Sequence, residues 1–240
     1  MVFLERRWRF ADAAVLAMWG VVGLCPVAVQ ASAVTSVPAW TRQHPAVHPS
    51  ARTGAAVAYD MATGTVVLFG GGHGPFGLGD TWTWDGSTWA KQATPAHPPG
   101  RTGASMAYDA ATGTVVLFGG WALGPYFGDT WTWDGTTWTK QAPAASPPAR
   151  FDASMAYDPA TGTAVLFGGF SSGPSNGFFG DTWAWDGTTW TKQVGAASPH
   201  ARELAAMAYD AATGTVVLFG GDVDITGLGI NYLADTWTWG

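Results

Sequence analysis

Beyond the first 33 residues of this 240-residue chain, four carboxylates, Asp152, Glu203, Asp222 and Asp224, stand outside the repeated positions. Such groups can act as general acids and bases, work in pairs on glycosidic bonds, or ligate a hard cation. Glu203 is the one glutamate beyond Glu5. His73, His97 and His200 lie one to a repeat, without the paired spacing of a zinc site. Asp222 and Asp224 resemble the opening of a calcium loop, but Leu233 stands where the distal glutamate of an EF-hand would be. Catalysis by loop carboxylates stays open, although no constellation specifies it. Neither a metal nor a cofactor is expected.

These groups must be carried by a frame, and the frame is a repeat. The phrase Tyr-Asp-x-x-Thr-Gly-Thr-x-Val-Leu-Phe-Gly-Gly, followed later by Asp-Thr-Trp-x-Trp, starts at Tyr59, Tyr108, Tyr157 and Tyr209. A period of about 50 residues marks an array of supersecondary units. Within one unit, Ala55–Tyr59 reads as a first strand. Gly64 closes a hairpin through its positive φ. Thr65–Phe69 is continuous and β-branched, as in a strand buried on both faces. Thr81-Trp82-Thr83-Trp84 alternates with period two, a third strand. Asp85-Gly86 is a strong hairpin signal that favours a type I′ turn, and Thr88–Gln92 is a fourth strand. Pro95–Pro99 joins one unit to the next.

Four antiparallel strands recurring at this period describe an all-β propeller. The double glycine, the Tyr-Asp, the spaced tryptophans and the opening Arg52, Arg101, Arg150 and Arg202 all resemble the kelch repeat. The resemblance runs from Trp40 to Gly240. It implies a four-bladed kelch-type propeller, with blades at about 51–94, 100–143, 149–194 and 201–240 plus 39–43. Kelch propellers usually have more blades than four. Ala39-Trp40-Thr41-Arg42-Gln43 mirrors the fourth strand Thr137–Gln141, and Thr236–Trp239 reads as a third strand. The expectation is a ring closed by the N-terminal strand joining the C-terminal blade, which also covers an exposed edge. A monomer follows; a piece of a larger propeller and a dimer of open arcs are the alternatives.

Residues 1–33 have another character. Arg6, Arg7 and Arg9 precede an apolar run from Ala13 to Val29, and Ala31-Ser32-Ala33 is a small-x-small cleavage signal. This reads as a Sec-type signal peptide cleaved after Ala33, hence a secreted or cell-envelope protein with its propeller at 34–240. Cleavage removes Cys25, the single cysteine, so a galactose-oxidase-type copper site, with its Tyr–Cys crosslink, cannot form. The net charge of −6 gives no basic patch for nucleic acid, and no membrane association is expected once the leader is gone.

The recurring tryptophans, such as Trp82, Trp131 and Trp183, read as seam fillers rather than sugar platforms. Arg52, Arg101, Arg150 and Arg202 recur with Asp80, Asp129, Asp181 and Asp235, which suggests structural ion pairs; a ring of Arg for an anion is the other reading. Function belongs where repetition fails. The strand two-to-three loops vary most and carry His73, Phe76, Trp121, Tyr126, Phe127, Phe170, Phe178, Phe179 and Tyr232. Among glycines, these rings suit stacking on a sugar or gripping a peptide, or else fold back over the mouth of the ring. The expected function is a binding module for a glycan or an extracellular protein. A carbohydrate-active lyase, epimerase or hydrolase on the same face is the alternative.

Overall fold

The computed structural model describes residues 39–73, 76–172, 177–223 and 229–240. The proposed leader and Asp224 lie outside the described residues. Gln43–Gly240 forms one compact unit, and Met1–Arg42 falls in another, of which residues 39–42 are described and form no strand.

The larger unit is all β. Blade 1 comprises β1 (Thr53–Asp60), β2 (Thr65–His73), β3 (Phe76–Gly77), β4 (Thr81–Trp84) and β5 (Trp89–Gln92). Blade 2 comprises β6 (Ser105–Asp109), β7 (Thr114–Phe118), β8 (Thr130–Trp133) and β9 (Trp138–Lys140). Blade 3 comprises β10 (Ser154–Asp158), β11 (Thr163–Phe167), β12 (Phe170–Ser171), β13 (Gly177–Phe178), β14 (Thr182–Trp185) and β15 (Trp190–Gln193). Blade 4 comprises β16 (Ala206–Asp210), β17 (Thr215–Phe219), β18 (Asp222–Val223), β19 (Asn231–Tyr232) and β20 (Thr236–Trp239). The main sheets are antiparallel meanders in the orders β1-β2-β4-β5, β6-β7-β8-β9, β10-β11-β14-β15 and β16-β17-β20. Four blades of a β-propeller result.

Successive blades pack face to face. Between blades 1 and 2, Val67 and Phe69 meet Met106, Val115, Leu117, Trp133 and Trp138. Between blades 2 and 3, Val116 and Phe118 meet Ala164, Leu166, Trp185 and Trp190. Each of these two seams turns on one indole from a fourth strand. Trp138 lies edge-on to Phe69 at 5.4 Å and donates its Nε1–H to Thr81 at 2.8 Å. Trp190 does the same to Phe118 at 5.3 Å and Thr130 at 2.9 Å. Burying one such ring, on the order of 150–250 Å², is worth roughly 4–6 kcal/mol.

The blade hairpins differ from expectation in one respect. In the Asp85-Gly86-Ser87-Thr88 loop, positive φ falls on Gly86 alone, at 98°. That is the sign pattern of a type II′ turn, not I′. The reason is the aspartate: Asp85 Oδ1 accepts from the amides of Ser87 and Thr88, both at 2.8 Å, and so braces its own loop from an ordinary backbone conformation. Asp134 and Asp186 repeat this. The short ribbons β12–β13 and β18–β19 also extend what reads in sequence as plain loop.

Candidate functional site

The frame of the site is the repeated arginine. Arg101 is fully buried and grips Asp129 with both terminal nitrogens, at 2.5 and 3.0 Å, while Nη1 also donates to Gly119 O. Arg52–Asp80, Arg150–Asp181 and Arg202–Asp235 repeat the pair. Each aspartate also accepts the indole N–H of the Trp two residues on, at 2.7 Å for Trp131. Burial alone would raise Asp129; the Arg101 hydrogen bonds and charge outweigh it and hold the carboxyl below its usual range. Arg101 and Arg150 further stack on Phe127 and Phe179, at 3.9 and 3.7 Å. The pairs fix where the chain leaves each arginine, and the next two residues are where the blades diverge.

Those residues are Thr53-Gly54, Thr102-Gly103, Phe151-Asp152 and Glu203-Leu204. The second of each pair has positive φ: 62°, 64°, 52° and 57°. They form an inter-blade ladder, with Gly103 N donating to Gly54 O, Asp152 N to Gly103 O and Leu204 N to Asp152 O, all at 2.8–2.9 Å. Glycine suits such a backbone; Asp152 and Leu204 adopt it at a steric cost of about 1–2 kcal/mol each. A side chain held there against its preference marks a functional candidate.

Asp152 lies over Gly103, where an added Cβ would collide with its carboxyl. Glu203 bridges Asp222 by paired backbone bonds of 3.0 Å. The three carboxylates act on one another electrostatically. Burial first, then the charge of Asp222, pushes Asp152 up to about 6. Burial first, then Asp152 and Asp222, pushes Glu203 up to about 7. Glu203 Oε2 and Asp222 Oδ1 are buried without a hydrogen-bond partner among the described residues. This cluster can accept hydroxyl hydrogen bonds, and Glu203 can hold a proton near neutrality. Among the described residues, no three His, Cys, Asp or Glu side chains are placed to hold a metal ion.

Beside the carboxylates runs a chain of rings. Phe151 packs on Trp121 at 6.3 Å, Tyr126 at 5.7 Å and Phe170 at 5.9 Å, and Phe170 meets Phe178 at 4.9 Å. Tyr126 Oη and Ser172 Oγ are hydrogen-bonded at 2.6 Å. The rings are half-buried and form one continuous apolar platform. Backbone bridges join Trp121 to Thr102, and Phe170 to Phe151.

Of the residues singled out from sequence, Trp121, Tyr126, Phe170 and Phe178 meet in this platform. Phe127 and Phe179 lie under the guanidinium groups. His73, Phe76 and Tyr232 are exposed and make no ring contact among the described residues. Phe151 and Leu204 escaped the sequence reading. The signal for them was there: they occupy the two positions directly after each arginine, where blades 3 and 4 depart from the Thr-Gly of blades 1 and 2. Gly173–Gly177 reads Gly-Pro-Ser-Asn-Gly, the form of a nucleophile elbow, but β13 follows it rather than the helix that elbow requires; residues 173–176 lie outside the described residues. Among the described residues no helix is long and apolar enough to cross a membrane.

No protein-family model matches this chain, and no curated protein matches it.

Proposed function

We propose that the chain is an exported kelch-type propeller that works as a glycan-binding module. Its ligand surface is the ring platform Trp121–Tyr126–Phe151–Phe170 together with Asp152, Glu203 and Asp222. The observation that supports this reading is the gathering of non-repeated aromatic and carboxylate groups at one end of the arginine-anchored ladder. Apolar ring faces stack on the C–H faces of a sugar, and carboxylates accept its hydroxyls. Nucleic acid is disfavoured by the acidic balance of the chain and of this site. Kelch-type repetition, export through the leader and loss of the membrane segment on cleavage belong to the same proposal.

A glycan array probed with the leader-free chain tests it. Specific binding that is lost in both Trp121→Ala and Asp152→Asn supports the reading. Binding untouched by both, or none to any glycan, defeats it. The raised Glu203 carboxyl favours a second reading, a carbohydrate-active enzyme with Glu203 as proton donor. Turnover that vanishes in Glu203→Gln while binding persists would put that reading first.

A further inference from the structure

Blades 1, 2 and 3 each have a fourth strand, whose tryptophan fills a seam in blades 2 and 3. Blade 4 has three main strands among the described residues, and a cleft of about 540 Å³ opens between blades 3 and 4. Phe167, Thr182, Met207, Leu218, Trp237 and Trp239 line it. Each has a counterpart in a filled seam. Phe167 and Thr182 stand where Phe69 and Thr81 receive Trp138. Leu218 and Trp239 stand where Leu117 and Trp133 back that indole. The cleft is shaped for one tryptophan and the strand that carries it.

Trp40-Thr41-Arg42-Gln43 has the matching pattern, beside Trp138-Thr139-Lys140-Gln141 and Trp190-Thr191-Lys192-Gln193. Its spacing is also that of a fourth strand. Gln43 precedes Arg52 by nine residues, as Gln92 precedes Arg101, Gln141 precedes Arg150 and Gln193 precedes Arg202. Residues 39–43 therefore fit the blade that stacks on the outer face of blade 1. Trp40 is fully exposed.

Among the described residues nothing covers the outer face of blade 1. A Cβ added at Gly135 or Gly187, in the turns of blades 2 and 3, would meet Thr63 or Thr112 of the preceding blade; one added at Gly86, their equivalent in blade 1, would meet nothing within 4 Å among the described residues. The inter-blade ladder runs from Gly54 to Leu204 and has no rung that joins Leu204 O to Gly54 N. The complementary face of blade 4 is also open: Phe219 is 52% exposed, whereas its equivalents Phe69 and Phe118 are 1% exposed.

We propose that a second copy of this chain is the partner of both surfaces. Blade 4 of one copy covers blade 1 of the other, and residues 39–43 of each copy enter the cleft between blades 3 and 4 of its partner. Such an exchange closes on a two-fold axis and leaves neither edge strand free. The register follows from the complete blades, where Trp133 faces Trp138 and Thr132 faces Thr139. Trp40 faces Trp239, and Thr41 faces Thr238.

Sedimentation of the chain at micromolar concentration tests the assembly. The expected mass is that of two chains. Trp40→Ala raises the dissociation constant roughly 30-fold or more, as removal of an interface anchor does. Phe219→Asp, on an exposed face and harmless to the isolated fold, dissociates the pair as well. A disulfide assay fixes the connection, with Cys25→Ala to remove the native thiol. Mixing chains that carry Thr41→Cys with chains that carry Thr238→Cys should give a covalent two-chain product. A single-chain mass at every concentration, a two-chain mass indifferent to both Trp40→Ala and Phe219→Asp, or crosslinking that occurs only when both cysteines are in one chain overturns the proposal. None of these outcomes depends on glycan binding.

Discussion

The indole N–H of Trp190 reaches across a blade seam to the hydroxyl of Thr130, 2.9 Å away. Both groups are buried, so the bond satisfies a donor and an acceptor that water cannot reach. Trp190 also fills the space against Phe118 and Trp185. Trp190→Ala is expected to destabilise the chain by about 3–5 kcal/mol through the cavity it leaves. Trp190→Phe keeps much of the packing and loses the hydrogen bond, at about 1–2 kcal/mol. Urea unfolding with an unchanged m-value checks both. A drop under 1 kcal/mol for Trp190→Ala would contradict the seam assignment.

The arginines make a second prediction, graded by burial. Arg101 is buried and bonded to Asp129, Gly119 and Pro99. Arg101→Ala leaves Asp129 with an unpaired charge, and the expected loss is about 3–5 kcal/mol. Arg101→Lys does not rescue it, because an ammonium cannot reproduce the two-pronged contact or the stacking on Phe127. Asp235 is more exposed than Asp129, and asparagine keeps an acceptor oxygen for the buried Arg202, so Asp235→Asn costs less, about 1–2 kcal/mol. Equal losses in Arg101→Ala and Asp235→Asn would sink this account.

The fold was legible in sequence because both filled seams demand the same residues: Phe69 and Phe118 each take an indole, and each indole takes a threonine. Repetition of contacts therefore appears as repetition of letters. The candidate site was legible only in part. Trp121, Tyr126 and Phe170 stood out as aromatics in variable loops. Phe151 and Leu204 did not, because they sit at strand entries beside an invariant arginine and look like frame. What brings Asp152 to Gly103 is a left-handed backbone that no single letter announces. The type I′ expectation at Asp85-Gly86 erred for a related reason: a side-chain carboxylate, not backbone preference, sets that turn.

The carboxylates predict the pH profile of stability. Glu203 is raised from 4.5 to about 7 and Asp152 from 3.8 to about 6 in the folded chain. A raised acid binds more protons folded than unfolded. Stability is therefore greatest below pH 4 for these two groups, falls as pH rises through the unfolded and then the folded values, and levels off above about pH 7. Half-exposure of the site shrinks the effect to on the order of 1–2 kcal/mol for Glu203. The paired aspartates work the other way: Asp129 and Asp181 are lowered, so their contribution is lost as pH falls below 4. A stability maximum near pH 4–5 is expected. Glu203→Gln should flatten the decline between pH 5 and 7. Denaturant midpoints across pH 3–9 measure it, and a decline unchanged in Glu203→Gln removes the cluster as its cause.

Leu204 offers the sharpest separation of stability from function. Its φ of 57° is costly for a branched side chain, its exposure is 61%, and blades 1 and 2 place Gly54 and Gly103 at the same rung. Little burial therefore compensates the strain. Leu204→Gly relieves about 1–2 kcal/mol of left-handed strain and gives back roughly 0.5–1 kcal/mol through the greater freedom of the unfolded chain. The net expectation is a gain of roughly 0.5–1 kcal/mol, readable as a higher denaturation midpoint. Gly103→Leu is the mirror experiment: it imposes the strain and collides with Asp152, so it should lose stability. If Leu204 is kept for the ligand surface, Leu204→Gly weakens glycan binding while the fold becomes firmer. A variant that is both less stable and unaltered in binding would show that the isobutyl group serves packing instead.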